Sequence, residues 1–264
     1  MTILSAHPID PVVRERVMDE LAAIEARHDV RVLFACESGS RGWGFASPDS
    51  DYDVRFVYVH RLDWYLRVEP QRDVIELPIS DELDIAGWEL RKALQLLRRS
   101  NPTLLEWLDS PVVYRADDEA AAALRALALA FFSERKGRWH YLMMARKNFR
   151  GYLQGDTVRL KKYLYVLRPL LAARWIDAGR GRPPMRFAEL AETMVTDDAL
   201  RAEINRLLAI KMAAGEAEHG PRFPLIHAFI ERELATEQAP QDFNKPEGDD
   251  AALDRLLYRM AISH

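Results

Sequence analysis

A single cysteine, Cys36, is present among the 264 residues. One thiol cannot build an internal disulfide framework. Its place inside an apolar run reads as a core residue in a reducing compartment rather than a nucleophile. The seven histidines (7, 28, 60, 140, 219, 227 and 264) lack the spacing of zinc ligands, which argues against a zinc centre. No uninterrupted apolar segment approaches the roughly 20 residues needed to span a bilayer. The first residues, Met1-Thr2-Ile3-Leu4-Ser5-Ala6, lack the basic region and apolar stretch of a secretory signal. The expectation is a cytoplasmic protein with no membrane partner. No internal repeat or low-complexity region is evident.

What is there is ordinary in bulk and uneven in distribution. Hydrophobic residues make up 48% and charged residues 30%, a composition that supports a buried core. The formal charge of −4 hides an asymmetry: from Arg135 to Arg186 there are 14 Lys or Arg against two acids, Asp156 and Asp177. A basic block of that kind suits phosphate, although it also suits a solvated helical surface.

Asp10 and Pro11 supply a cap and a first-turn proline for a helix to about Arg27. Apolar runs at 30–36 and 54–59 read as strands, with further strand candidates at 74–79 and around Leu83 to Ile85. The leucine spacing predicts a helix from Trp88 to Arg99, stopped by Asn101 and Pro102, and a short helix from Thr103 to Leu108. Beyond Tyr114 the texture is helical, at 117–132, 134–153, 156–178, 187–193, 197–214, 223–236 and 249–261, with Pro169 expected to kink or restart its helix. The tryptophans Trp88, Trp107, Trp139 and Trp175 are expected in cores. These elements predict an α+β N-terminal module (1–115) followed by an all-helical module (116–264).

The chemistry concentrates in residues 38–55. Gly39 and Gly42 free the backbone for close approach to an anion; Ser40 adds a hydroxyl and Arg41 a fixed positive charge. Asp51 and Asp53 lie two apart at the start of an apolar run, so strand alternation turns both carboxylates to one face, where a divalent cation would offset their repulsion. Mg²⁺ takes one or two carboxylates together with substrate phosphates, which suits the adjoining loop. The Ser47-Pro48-Asp49-Ser50 stretch fits equally a turn whose aspartates cap backbone amides. A further acidic ligand has candidates in Glu76, Asp81, Glu82 and Asp84; alternation singles out Glu76 and Asp84, each between two apolar neighbours. Leu160, Leu164, Leu167 and Leu171 form a core stripe, and Lys161, Tyr165 and Arg168 repeat its spacing one residue over. That adjacent stripe is a candidate for triphosphate and base. Arg146 and Arg150, one turn apart, extend the basic surface.

Gly39-Ser40, the Asp51-x-Asp53 pair and a later strand aspartate resemble the catalytic signature of the DNA polymerase β-like nucleotidyltransferase superfamily. The segments Glu37 to Phe45, Ser50 to Arg55, Asp84 to Lys92, Ser100 to Leu108 and Lys161 to Pro169 are similar to its predicted bacterial and phage branch associated with RNA repair. The resemblance implies a mixed-sheet nucleotidyltransferase core followed by a helical domain. It strengthens Asp84 as the third carboxylate, since an aspartate precedes the Gly-Trp helix start in that family. Trp43 stands where many superfamily members carry a smaller residue, and its bulk bears on the acceptor or base. The implied reaction is transfer of NMP from an NTP such as ATP to an acceptor hydroxyl. Asp51, Asp53 and Asp84 would hold two Mg²⁺ ions (or Mn²⁺), Gly39, Ser40 and Arg41 the phosphates, and Lys161, Tyr165 and Arg168 the nucleotide. An RNA 3′ end is the acceptor that best suits the basic block. A protein or small-molecule hydroxyl, or a silent nucleotide- or RNA-binding module, are the alternatives.

Overall fold

The computed structural model describes residues 8–80, 82–213, 219–235, 243 and 245–264. In chain order the first elements are α1 (Pro11–His28), β1 (Val30–Glu37), α2 (Gly39–Trp43), β2 (Tyr52–His60), α3 (Leu62–Tyr65), β3 (Val74–Glu76), β4 (Leu83–Glu89), α4 (Leu90–Arg98), α5 (Pro102–Leu108), β5 (Val113–Ala116) and α6 (Asp118–Ala130). There follow α7 (Glu134–Tyr152), β6 (Thr157–Arg159), α8 (Lys161–Asp177), α9 (Phe187–Met194), α10 (Asp198–Ala213), β7 (His219–Pro221), α11 (Pro224–Ala235) and α12 (Asp250–Ile262). The expected ends of α10 at 214 and α11 at 236 lie outside the described residues.

The chain forms two compact units, which do not divide at the expected 114–118 boundary. One comprises the described residues of 8–42, 51–132 and 246–264; the other comprises 43–50 and the described residues of 133–245. The first unit retains α6 and α12 because their apolar faces complete its core, where Leu124 and Ala128 lie with Leu253, Leu256 and Met260.

The sheet of this first unit runs in the order β3-β4-β2-β1-β5. β1 pairs antiparallel with β2 and β5, β2 parallel with β4, and β3 antiparallel with β4. Alternation then assigns the faces. Val54, Phe56 and Tyr58 of β2 join Leu83 and Ile85 of β4 against Val17, Leu21 and Ile24 of α1. Val57 and Val59 point the other way, into a core built with α4, α5, α6 and α12. Asp53 and Arg55 share the parity of Val57, so they sit on this second face at the start of the strand.

Several expected boundaries shift for identifiable reasons. β4 runs on through Gly87, Trp88 and Glu89, where a helix start was expected, because these residues pair with both β2 and β3. Gly87 permits this: a Cβ there would lie 2.3 Å from the Phe56 ring. Glu89 caps α4, accepting from the N–H groups of Arg91 and Lys92. Asn101 caps α5 through Leu104 N–H, with Pro102 in the first turn, so this pair starts a helix rather than only stopping one. β5 occupies a sheet edge where no strand was expected, and β6 replaces the predicted first turn of the 156–178 helix by pairing with β7. Trp107 is buried and stacks with Trp88, whereas Trp139 is 66% exposed and belongs to no core.

In the second unit α8 packs against α7, α9 and α11 and is buried on nearly every side. Its predicted leucine stripe is buried throughout. Pro169 lies inside α8 without ending it. A proline removes the N–H that would serve the carbonyl four residues earlier, here that of Tyr165. Asn148 of α7 supplies the substitute: its Nδ2 donates to Tyr165 O at 3.0 Å.

Leaving that carbonyl without a donor costs about 1–3 kcal/mol. Asn148→Ala is therefore expected to lower unfolding stability in urea by about that amount. In a Pro169→Ala background, which returns the N–H, the loss should largely disappear; equal losses in the two backgrounds contradict the assignment.

Candidate functional site

The site assembles around Asp53. Its N–H donates to Glu37 Oε1 at 2.8 Å and its carbonyl accepts from Ser38 N–H at 2.8 Å, so the residue is gripped by the end of β1 on both sides. Its carboxylate lies against Gly39: a Cβ on that residue would stand 1.8 Å from Asp53 Oδ2. Gly39 also has φ +54, in the left-handed region that favours glycine. Both demands explain the glycine, and both place the loop backbone directly beside a carboxylate. Gly42, by contrast, lies in α2, with its N–H on Ser38 O; the other positive-φ glycine nearby is Gly44. Ser40 and Arg41 are both buried at 8% exposure, and the Arg41 guanidinium sits 3.8 Å from the centre of the Tyr52 ring.

Asp84 is brought to Asp53 by strand register, the two being direct partners on parallel β2 and β4. Both are partly exposed, where Val57 further along the same face is fully buried. Between the two carboxylates lies Arg55, whose Nη2 donates to Asp53 Oδ1 at 2.9 Å and to Asp84 Oδ2 at 2.7 Å. Asp51 is exposed and precedes β2. Among the described residues no three His, Cys, Asp or Glu side chains come together closely enough to hold a metal ion, so Asp51 does not join the pair as a third ligand here. Of the other carboxylates considered, Glu76 is an exposed residue at the sheet edge paired with Arg72, Glu82 is exposed, and Asp81 lies outside the described residues. Two convergent carboxylates already bridged by a cation, beside a close-approach glycine, are hard oxygen donors that fit Mg²⁺ or Mn²⁺.

Sequence reasoning missed two members of this site. Glu37 is fully buried, accepting from Tyr114 Oη at 2.5 Å as well as from Asp53 N–H. Burial pushes its carboxyl up to about 7, against the lowering effect of those two hydrogen bonds; the Asp53 charge adds to the rise. Burial likewise pushes the Tyr114 hydroxyl up, helped by the Glu37 charge. Arg55 is the other. Its spacing of two from Asp53 was the available signal, since alternation places it on the same face. Cys36 is fully buried and its thiol is pushed up by burial, in keeping with a core role.

The second unit holds the remaining candidates. Arg168 is buried at 3% exposure, donating from Nε to Met185 O and lying 4.7 Å from the centre of the Trp43 ring. It is a packing residue, and its helical neighbours Lys161 and Tyr165 are partly exposed. Tyr165 meets Trp43 edge-on at 5.5 Å, so the bulk of Trp43 is used in packing with the helices. Segment 43–50 is further secured by Lys211, a buried residue of α10 whose Nζ donates to Ser47 Oγ at 2.6 Å and Ser50 Oγ at 3.3 Å. The turn immediately before Asp51 is thus pinned by a buried ammonium. Arg146 and Arg150 line one cavity of about 360 Å³ with Phe149, Gln154 and Glu231.

The sequence model of the RNA repair pathway DNA polymerase beta family matches residues 13–259. The chain is 47% identical over 247 residues to the uncharacterized protein YcgL of Bacillus subtilis (strain 168), covering 93% of this chain and 95% of that protein. A nucleotidyltransferase-like protein from Exiguobacterium sibiricum aligns in structure with a TM-score of 0.32 and 11% identity, over 94% of this chain and 75% of that one. That likeness is too slight to bear on the site.

Glu37 generates a pH prediction. Its carboxyl holds a proton up to about 7 when folded but only to 4.5 when unfolded, so the folded chain binds more protons between those values. The Glu37 contribution to stability is therefore full below 4.5, falls as pH rises through this window, and is flat above it. Glu37→Gln should remove this part of the slope in urea-unfolding measurements across pH; identical slopes for variant and wild type contradict it.

Proposed function

Because the chain belongs to the RNA repair pathway DNA polymerase beta family, we propose that it transfers a nucleoside monophosphate from an NTP to the 3′ hydroxyl of an RNA, with pyrophosphate leaving. The observation that carries this reading is the register pairing of Asp53 with Asp84 directly beside the Gly39 backbone. A nucleotidyl-transfer site needs a carboxylate pair and a phosphate-accessible loop at one point, and this pairing meets that need.

The residues present fit a divalent cation, with Asp53 and Asp84 as those that would hold it, while Asp51, exposed just upstream of β2, stands apart from the pair. When bound, Mg²⁺ or Mn²⁺ would offset triphosphate charge and lower the pKa of the acceptor hydroxyl. The protein's own part is positioning and electrostatics. Gly39 lets phosphate oxygens come close to the backbone, and Ser40 offers a hydroxyl next to it. Arg41, held over the Tyr52 ring, contributes a positive charge. Glu37 holds Asp53 by its backbone N–H, which fixes the point on β2 from which the carboxylate reaches toward the loop. Asp84 is the candidate to receive the acceptor proton, being partly exposed on the same face. Lys161 and Tyr165 are the helical unit's candidates for phosphate and base, while Arg168 supports segment 43–50 through Trp43.

The RNA acceptor is supported by the family's association with RNA repair and by the basic block from Arg135 to Arg186. The cavity flanked by Arg146 and Arg150 offers charge and an aromatic ring together, a combination suited to single-stranded nucleic acid.

Incubation with each α-labelled NTP, Mg²⁺ and total RNA tests the reading. Label should enter RNA, and Asp53→Ala should reduce its entry by a factor of at least ~100, the scale on which a preorganised electrostatic group contributes. Equal labelling by variant and wild type contradicts the site, and label entering protein instead of RNA contradicts the acceptor.

A further inference from the structure

The connection between β2 and β3, together with α4, carries chemistry that the carboxylate site does not use. Segments 61–72 and 90–99 hold seven Lys or Arg against two acids, Asp63 and Glu69. Along α4, Arg91, Gln95 and Arg98 follow i, i+4, i+7 and are all exposed. One polar stripe therefore runs down the outer side of a helix whose Leu94 and Leu97 face the core. Asp250 pairs with Arg98 at 2.6 Å, an exposed ion pair that stabilises little and yields readily to a phosphate. Two cavities flank the stripe. One, of about 160 Å³, is lined by Trp64, Tyr65, Arg67 and Gln71; the other, of about 360 Å³, by Leu94, Arg98, Leu253 and Leu257. Arg91 and Gln95 line both, so the two meet across α4.

The smaller cavity is built around a fixed aromatic cluster. Trp64 stacks on His60 with ring centres 4.2 Å apart and planes 7° from parallel, and meets Tyr65 edge-on at 5.1 Å. Tyr65 is held in turn, its hydroxyl donating to the buried Glu89 and its ring lying 4.8 Å from the Arg91 guanidinium. Trp64 stays partly exposed, so a preformed ring surface lines a polar cavity. Nucleic-acid bases stack on such rings, and on guanidinium planes, with little regard to sequence. Glu69, Gln71 and Asp73 line the same cavity and supply acceptors and an amide for base edges. Its volume is below the ~300 Å³ at which pockets for larger small molecules begin. It therefore suits one flat ring rather than a free nucleoside triphosphate.

We propose that this groove binds single-stranded RNA upstream of the 3′ end that the carboxylate site would extend. One base enters beside Trp64, while Arg67, Arg91 and Arg98 meet phosphates. The proposal rests on the RNA-acceptor reading and adds a contact region on the sheet unit itself. Its place along the sheet fits a separation of a few nucleotides. β4 continues five residues from Asp84 to Glu89, about 16 Å of strand, before α4 begins. α4 then packs on the sheet face to which Val57 and the carboxylate pair belong.

The test locates RNA on the full chain without relying on turnover. Single-stranded RNA carrying one 4-thiouridine, at the 3′ end or at successive upstream positions, is irradiated with the protein, and the attached peptides are identified by mass spectrometry. Attachment within 61–72 or 90–99 is expected from upstream positions and not from the terminal one. Attachment confined to 133–245 at every position overturns the proposal and leaves the RNA acceptor intact; attachment in 61–72 or 90–99 from the terminal nucleotide overturns it as well. In anisotropy titrations, Arg67→Ala combined with Arg91→Ala should flatten the slope of log K against log salt by about 1.4, at ~0.7 per phosphate contact on a single strand. Trp64→Ala should weaken binding at least ~5-fold with the slope unchanged. Wild-type slope and affinity in the arginine variant overturn the proposal, and that variant decides if Trp64→Ala does not fold. Loss of NTP-analogue uptake in the arginine variant would assign the groove to the nucleotide and overturn it too. A wild type that takes up the analogue but no RNA overturns both the proposal and the RNA acceptor, while nucleotidyl transfer to another hydroxyl stands.

Discussion

Everything in the sheet unit that bears on chemistry depends on the fixing of Asp53. Three different groups from a single short stretch of β1 and α2 act on it: the Glu37 carboxylate on its N–H, Ser38 N–H on its carbonyl, and the Gly39 backbone against its side chain. Register then delivers Asp84 alongside, and alternation delivers Arg55 between them. The carboxylates are thus placed by backbone pairing rather than by side-chain packing, which leaves their outward side open for a substrate. Burying Glu37 is costly for its charge, and the expense falls on the residue that holds the site rather than on those exposed to the reaction.

The helical unit solves a different problem with the same economy of partners. α8 is buried on nearly all sides yet contains a proline, and the carbonyl that the proline strands is served from α7 by Asn148. Around it Trp43, Tyr165 and Arg168 interlock, and Lys211 holds Ser47 and Ser50. The segment from Trp43 to Ser50 is thereby held to the helices of its own unit.

Much of this was legible from local pattern. Apolar runs located β1 and β2, and period-two alternation gave the Asp53 face and narrowed the later carboxylate to Glu76 or Asp84, each between apolar neighbours that face inward together. The leucine stripe of α8 and the cap of α1 were equally local and are present as read. What escaped was decided by partners distant in sequence. Gly87-Trp88-Glu89 looks like a helix entry until β2 and β3 pair with it, and Gly87 is needed only because Phe56 covers it. β5 has four residues and is defined by β1 alone. Helical spacing put Arg168 beside Lys161 correctly, but spacing on one helix does not tell that Trp43 and Met185 lie against it. Arg55 was visible as a residue, yet its weight became apparent only when β4 supplied the second carboxylate.

The central claim is that Asp53 and Asp84 act as one unit in nucleotidyl transfer. A double-mutant cycle on labelled-NMP incorporation measures it directly, using Asp53→Asn, Asp84→Asn and the pair. Groups that act together show strongly non-additive losses. The account predicts that each single substitution removes nearly all activity and that the double variant is scarcely worse than either. Independent losses that multiply in the double variant, or full activity in either single variant, would contradict it.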